Sequence, residues 1–168
     1  DSCGELVLFD TDEIQDGLEL LAAKITAMDA DILLLQEVDT DSKRSAYVDQ
    51  VQWLLDNTEM NYGVYASMWE VQFVPSDGLG RVDTGNAILS RWPLSEAERI
   101  QLSLRGDQDA LTRAFYVRRN VLRAKVNYPG SPFWAVDIHA SAFSNDDTKQ
   151  KQYVEFKEVL DELDTQGE

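Results

Sequence analysis

Hydrophobic positions along this chain change period several times, and each change marks an element. The short apolar run "ELVLF" at residues 5–9 reads as a strand. After "DTD", Ile14, Leu18, Leu21, Ile25 and Met28 recur at helical spacing and predict an amphipathic helix. Asp12 followed three residues later by Gln15 has the form of a capping box, which starts that helix near residue 12. Ile32 to Leu35 is apolar on both parities, the pattern of a central strand covered on both faces. The first helix is then a crossover between two neighbouring strands. A second amphipathic helix carries Tyr47, Val48, Val51, Leu54 and Leu55 on one side.

Beyond it the period falls to two. "YGVYASMWEVQFV", "NAILS" and "ERIQLSL" read as strands, separated by a Gly- and Asp-containing loop and a turn at "RWP". A polar loop at "RGDQDALT" leads to the strand "NVLRAKV", a "NYPGSP" turn and the strand "FWAVDIHA". From Asp146 to Leu163 the pattern is helical again, with Tyr153, Phe156, Val159, Leu160 and Leu163 as its apolar stripe. The sum is a mixed α/β arrangement, a βαβ start followed by an antiparallel meander, without internal repeat or interdomain linker. It predicts one domain over residues 1–168.

Composition bounds what this domain can do. With 168 residues and 43% hydrophobic content, the chain can bury one real core. Cys3 is the only cysteine and His139 the only histidine, so a metal would rest on oxygen ligands or on His139. There is no apolar run of membrane-spanning length and no signal-peptide pattern at the N-terminus, so the expectation is a soluble protein, cytoplasmic or exported after loss of an upstream signal. The net charge of −16 repels polyanions and argues against a non-specific DNA binder. Five of the fifteen cations nevertheless fall between Arg113 and Lys125, in "RAFYVRRNVLRAK", and leave room for a local phosphate-facing patch.

Two residues stand where side chains leave a sheet for its loops. Glu37 ends the run "DILLLQE", and His139 ends "FWAVDIHA", on the same parity as Phe133, Ala135 and Asp137. Each also has a plain structural reading, as a solvated carboxylate and as a hydrogen-bonded histidine. Asp10, Asp12 and Asp16-Gly17 faintly resemble a calcium loop, but no acid stands at the twelfth position and the intervening pattern is helical.

"DADILLLQEVD", "GNAILSRWPL" and "NVLRAKVNYPGSPFWAVDIHASAF" closely resemble, in order and spacing, successive motifs of the endonuclease/exonuclease/phosphatase superfamily of metal-dependent phosphoesterases. The resemblance runs from about Leu6 into the final helix, where "DDTKQKQ" is similar to the family's segment after its histidine. It implies a mixed-sheet α/β sandwich of the DNase-like type and a hydrolase acting on phosphate esters with Mg²⁺ or Mn²⁺. By position, Glu37 matches the family's metal-binding carboxylate and His139 its catalytic histidine. Hard oxygen donors suit Mg²⁺, which polarises a phosphoryl oxygen while a histidine hydrogen-bonds or protonates it. Asn86, beside Gly85, matches the block that lines the family's site and is a candidate substrate contact, though it fits a turn or strand-start role equally; Arg119, from the cationic segment, is a second candidate. Asp10 stands nearest to the place where family members carry an asparagine at the metal, and an N-cap role is open to it too.

Departures from the family pattern are as informative. Its later Gly-Asp-x-Asn and Ser-Asp-His segments, which supply the residue that activates water and its partners, have no counterpart here. "GDQD" at Gly106 to Asp109 precedes His139 and reads as a hairpin loop. The expectation is therefore the N-terminal portion of a longer phosphoesterase. Its substrate would be a phosphate ester, with a small molecule or lipid headgroup favoured over DNA by the charge, and the loop "VPSDGLGRVDT" either touches it or simply connects two strands. The alternative is a non-catalytic acidic binding module that keeps the fold.

Overall fold

The structure is a computed structural model that describes residues 9–74, 80–142 and 144–165. Residues 5–8 of the expected first strand and 75–79 of the expected substrate loop lie outside that description. The first helix, α1 (Thr11–Met28), is capped two residues earlier than the Asp12/Gln15 pattern predicts. Asp10 is the N-cap, its carboxylate accepts from the Glu13 amide at 2.9 Å, and the Glu13 carboxylate accepts from Asp10 N at 3.1 Å. This register leaves Asp12 and Glu13 in the first turn, where negative charge meets the positive end of the helix. Leu18, Ala22 and Ile25 form its buried face, while Met28 is 64% exposed.

Two antiparallel sheets follow. The first holds β1 (Ile32–Asp39), β2 (Tyr62–Val71) and β3 (Val82–Ser90) in the order β1-β3-β2. The second holds β4 (Leu94–Gln101), β5 (Asn120–Val126) and β6 (Phe133–Ile138) in the order β4-β5-β6. Among the described residues β3, not β1, is the central strand of the first sheet: Ala87, Ile88 and Leu89 are fully buried, whereas Leu34 of β1 is 48% exposed. The period-two reading of "NAILS" missed this because Asn86 and Ser90 are small polar residues that are nonetheless fully buried.

Strand parity then builds the layers. Ala87 and Leu89 pack with Leu18, Ile25 and Val51 beneath α1 and α2 (Gln50–Asn57). Ile88 points the other way and meets Leu122, Ala124 and Val126 of β5 between the sheets. Val121, on the far face of β5, packs with Leu102 and with Val159 of α4 (Thr148–Thr165). The result is helices, sheet, sheet, helix: a mixed α/β sandwich, as the sequence predicts. Buried at roughly 25 cal/mol per Å² of apolar surface, these faces dominate the stability.

Three local expectations change. The second helix begins at Gln50 rather than at Tyr47, because Asp49 caps it by accepting from Gln52 N, and Tyr47 is exposed with φ at 60°. The "RGDQDALT" loop leads into a short helix, α3 (Ala110–Phe115), where Asp109 accepts from Thr112 N at 2.9 Å. On α4 the buried positions are Thr148, Gln152, Val159 and Leu163, while Tyr153 and Leu160 are exposed. Gln152 can be buried because both ends of its amide are satisfied: Oε1 accepts from Ser141 N at 2.8 Å and Nε2 donates to Ser103 O at 2.7 Å.

Candidate active site

Glu37 owes its position to an irregularity in β1. Leu35 pairs with Ala87 and Val38 with Gly85, so Gln36 and Glu37 together oppose the single Asn86. This is a β-bulge, and Glu37 adopts φ of 58°, a left-handed conformation that a non-glycine residue holds only where the surroundings demand it. The bulge turns consecutive side chains to separate tasks. Gln36 reaches across to the second sheet, where its Nε2 donates to Asp137 Oδ1 at 3.1 Å and to Ile138 O at 2.9 Å. Glu37 is left with its side chain 61% exposed. Opposite the bulge, Gly85 lets β2 come close: a Cβ there would stand 2.1 Å from Ala66 O.

His139 follows the last residue of β6, so the Gln36 bridge sits immediately beside it. Its Nε2 is 3.7 Å from Glu37 Oε1, and its side chain is 19% exposed. Burial and the nearby Arg119 guanidinium hold the imidazole below its usual pKa, with Glu37 pulling the other way. The ring is therefore neutral at neutral pH.

A second bulge positions Arg119. Ser67 pairs with Gly85 and Trp69 with Thr84, which leaves Met68 of β2 unpaired in the ladder. Met68 O is free to accept from Arg118 N at 2.6 Å, and its sulfur lies 3.3 Å from Arg119 Nη1. Burial presses on the Arg119 guanidinium, and Tyr116 and Glu37 favour its charge.

Glu37, His139 and Arg119 line one cleft of about 230 Å³ together with Arg105, Tyr116 and Ser141. Arg105 is fixed by Asp107, which accepts at 2.8 and 2.5 Å, and it donates to Tyr116 Oη at 3.1 Å. The guanidinium draws the Asp107 carboxyl down to a pKa of about 2. The "GDQD" segment thus serves the cleft indirectly, by holding one of its arginines.

A scan against family models matches the description "Endonuclease/Exonuclease/phosphatase family" over residues 11–166. The chain belongs to this family. Solved structures agree on the fold. An endonuclease/exonuclease/phosphatase from Beutenbergia cavernae superposes with a TM-score of 0.65 at 20% identity, covering 80% of this chain and 36% of that one. The human Nocturnin catalytic domain with bound sulfate gives 0.58 at 18% identity, covering 89% and 52%. Sphingomyelinase C from Streptomyces griseocarneus gives 0.58 at 17% identity, covering 93% and 56%. This chain therefore spans between 36% and 56% of the length of these three structures. No curated protein matches it.

The remaining residues singled out from the sequence lie away from the cleft wall. Asn86 is fully buried, and its Nδ2 donates to Asn120 O at 3.3 Å and Asn120 Oδ1 at 3.2 Å, tying the two sheets together. Asp10 caps α1. Gln36, Arg105 and Tyr116 carry weight that the sequence reading did not give them. Of these, only Gln36 carries a signal in the sequence, as a polar residue beside Glu37 at the end of an apolar run.

For a divalent ion, the described residues contain no group of three or more His, Cys, Asp or Glu side chains. The cleft offers one exposed carboxylate, Glu37, beside an imidazole and a guanidinium. That donor set fits Mg²⁺ or Mn²⁺, which binds through one or two carboxylates and completes its shell with water and substrate oxygens. Among the described residues, the buried atoms His139 Nδ1, Asp137 Oδ2, Ser141 Oγ and Arg119 Nε have no hydrogen-bond partner, so this corner is built for polar company. No helix among the described residues is long and apolar enough to cross a membrane.

Proposed function

We propose that this chain supplies part of the active site of a Mg²⁺- or Mn²⁺-dependent phosphoesterase. The observation that carries the reading is the approach of Glu37 Oε1 to His139 Nε2 at 3.7 Å across the two sheets, with Arg119 lining the same cleft. Hydrolysis joins a water oxygen to phosphorus and breaks the ester P–O bond, the alcohol leaving with a proton. When bound at Glu37, the metal supplies Lewis-acid polarisation of a phosphoryl oxygen. Arg119 contributes a fixed positive charge, partly desolvated, toward which phosphoryl oxygens orient. His139, kept neutral by burial and by Arg119, is able to accept a proton or hold a hydrogen bond at Nε2. Tyr116, clamped by Arg105, walls the cleft against bulk water.

The substrate is a phosphate ester. The net charge of −16 favours a small molecule or a lipid headgroup over bulk DNA, and the likeness to a sphingomyelinase C fold is compatible with that class. The test is turnover of bis-p-nitrophenyl phosphate with Mg²⁺ or Mn²⁺. Metal-dependent hydrolysis that disappears in both Glu37→Ala and His139→Ala supports the reading. Hydrolysis that survives Glu37→Ala overturns the metal assignment.

A further inference from the structure

A second hollow, of about 340 Å³, lies between β2 and β4 next to the active-site cleft, and Tyr116 lines both. Its walls include Trp69, Arg99, Gln101 and Arg118. Arg99 Nε donates to Ser67 O at 2.8 Å and its Nη2 to Arg118 O at 3.2 Å, so its partners are neutral carbonyls. Among the described residues neither Arg99 nor Arg118 has a carboxylate in ion-pair range. By contrast Arg44, Arg81, Arg91, Arg105 and Arg123 each have one; among the described residues Arg113 and Arg119 have none either, but Arg99 and Arg118 are the pair that line one hollow together. Glu70 also borders the hollow, but its carboxylate pairs with Arg81 at 3.1 Å. Burial and the like charge of Arg118 both disfavour the protonated form of Arg99.

In a chain with 31 acidic and 15 basic residues, two adjacent arginines without a counter-charge are conspicuous, because so many carboxylates compete for cations. A bound anion would offset both charges, and guanidinium groups match the geometry of phosphate oxygens. The Trp69 indole, fixed by Nε1 donating to Phe115 O at 2.8 Å, adds a flat apolar wall, and Gln101 adds an amide donor. We infer that this hollow is a second phosphate subsite, which holds a phosphate group of the substrate other than the one hydrolysed at Glu37 and His139. The substrate class is then a phosphate ester carrying a second phosphate on the same molecule. This rests on the phosphoesterase reading for the first phosphate, while anion binding itself does not.

Two measurements separate the two claims. In the first, inorganic pyrophosphate is titrated calorimetrically into metal-free protein. Arg118→Gln, whose side chain makes no described hydrogen bond that the fold needs, should weaken binding about ten-fold, as loss of one charge-assisted contact does. Lys151→Gln, which removes an exposed cation on α4, should leave it unchanged. Equal binding by wild type and Arg118→Gln, or equal weakening in Lys151→Gln, overturns the subsite. In the second, thymidine 3′-(p-nitrophenyl phosphate) is compared with and without a 5′-phosphate. Arg118→Gln should raise KM about ten-fold for the 5′-phosphorylated ester alone. Pyrophosphate binding that responds to Arg118, together with ester turnover that is unchanged in both Glu37→Ala and His139→Ala, leaves the subsite standing and removes the hydrolase assignment. Turnover that needs Glu37 while neither probe responds to Arg118→Gln does the reverse.

Discussion

Gln36 Nε2 donates to Asp137 Oδ1 at 3.1 Å, and that contact fastens the bulge of one sheet to the end of the other. The neighbours of these two residues are the functional pair: Glu37 follows Gln36, and His139 lies two residues beyond Asp137. Replacing Gln36 with leucine removes this bond and the one to Ile138 O, and leaves the Asp137 carboxylate buried without them. The expected loss is about 1–3 kcal/mol of stability. Because Glu37 would no longer be held against His139, turnover should fall by roughly ten-fold or more, as expected when positioning is lost. Chemical denaturation and steady-state kinetics on one preparation check both.

Gly85→Ala should be damaging although it adds only a methyl group, because Gly85 is buried. The new Cβ would meet Ala66 O at 2.1 Å, where both atoms belong to rigid strands, so β2 and β3 must separate opposite the Glu37 bulge. A loss of about 2 kcal/mol or more, read as a drop in melting temperature, is the expected result.

Asp137 sets a pH dependence. Burial raises its carboxyl pKa, with the Gln36 bond opposing. The folded state therefore keeps this proton at pH values where the unfolded chain has released it. Its contribution is fully present below the unfolded carboxyl value and is lost as pH rises through the folded one. Asp137→Asn removes that loss, so the variant should gain stability relative to wild type as pH is raised from about 4. Denaturation midpoints across pH measure it, and a constant difference between the two proteins contradicts it.

Gln152 supports the site from α4. Its Oε1 accepts from Ser141 N, two residues beyond His139 in the chain. Gln152→Leu leaves that amide and Ser103 O without their bonds, at a cost of about 1–3 kcal/mol. Faster hydrogen exchange at Ser141 is the specific sign of this mechanism.

Much of this was legible in the sequence because strands and helices impose different periods on the same apolar residues. The six described strands follow from that pattern, the sandwich was implied by the family resemblance, and Glu37, His139 and Arg119 meet in one cleft. What the pattern cannot show is register. The bulges at Gln36–Glu37 and at Met68 insert a residue without altering hydrophobicity, yet they aim Glu37 and free Met68 O for Arg118. Polar residues buried by satisfied hydrogen bonds deceived the reading in the same way. Gln152 and Thr148 displaced Tyr153 and Leu160 from the face of α4, and Asn86 became a tie between the sheets. Arg105 and Tyr116 were invisible because a polar loop and a short helix bring them to the cleft, and neither has a period.

The most direct test of the central claim, that Glu37 is the carboxylate that engages the divalent ion, is the Mn²⁺ activation curve for hydrolysis of bis-p-nitrophenyl phosphate in Glu37→Gln. The substitution keeps size and one acceptor oxygen but removes the charge of a side chain that is 61% exposed, so the fold should be unaffected. The account predicts that activation is abolished, or that the half-activating Mn²⁺ concentration rises at least roughly ten-fold, in the range seen when metal-site residues are altered. An activation curve that overlays the wild-type one would contradict it.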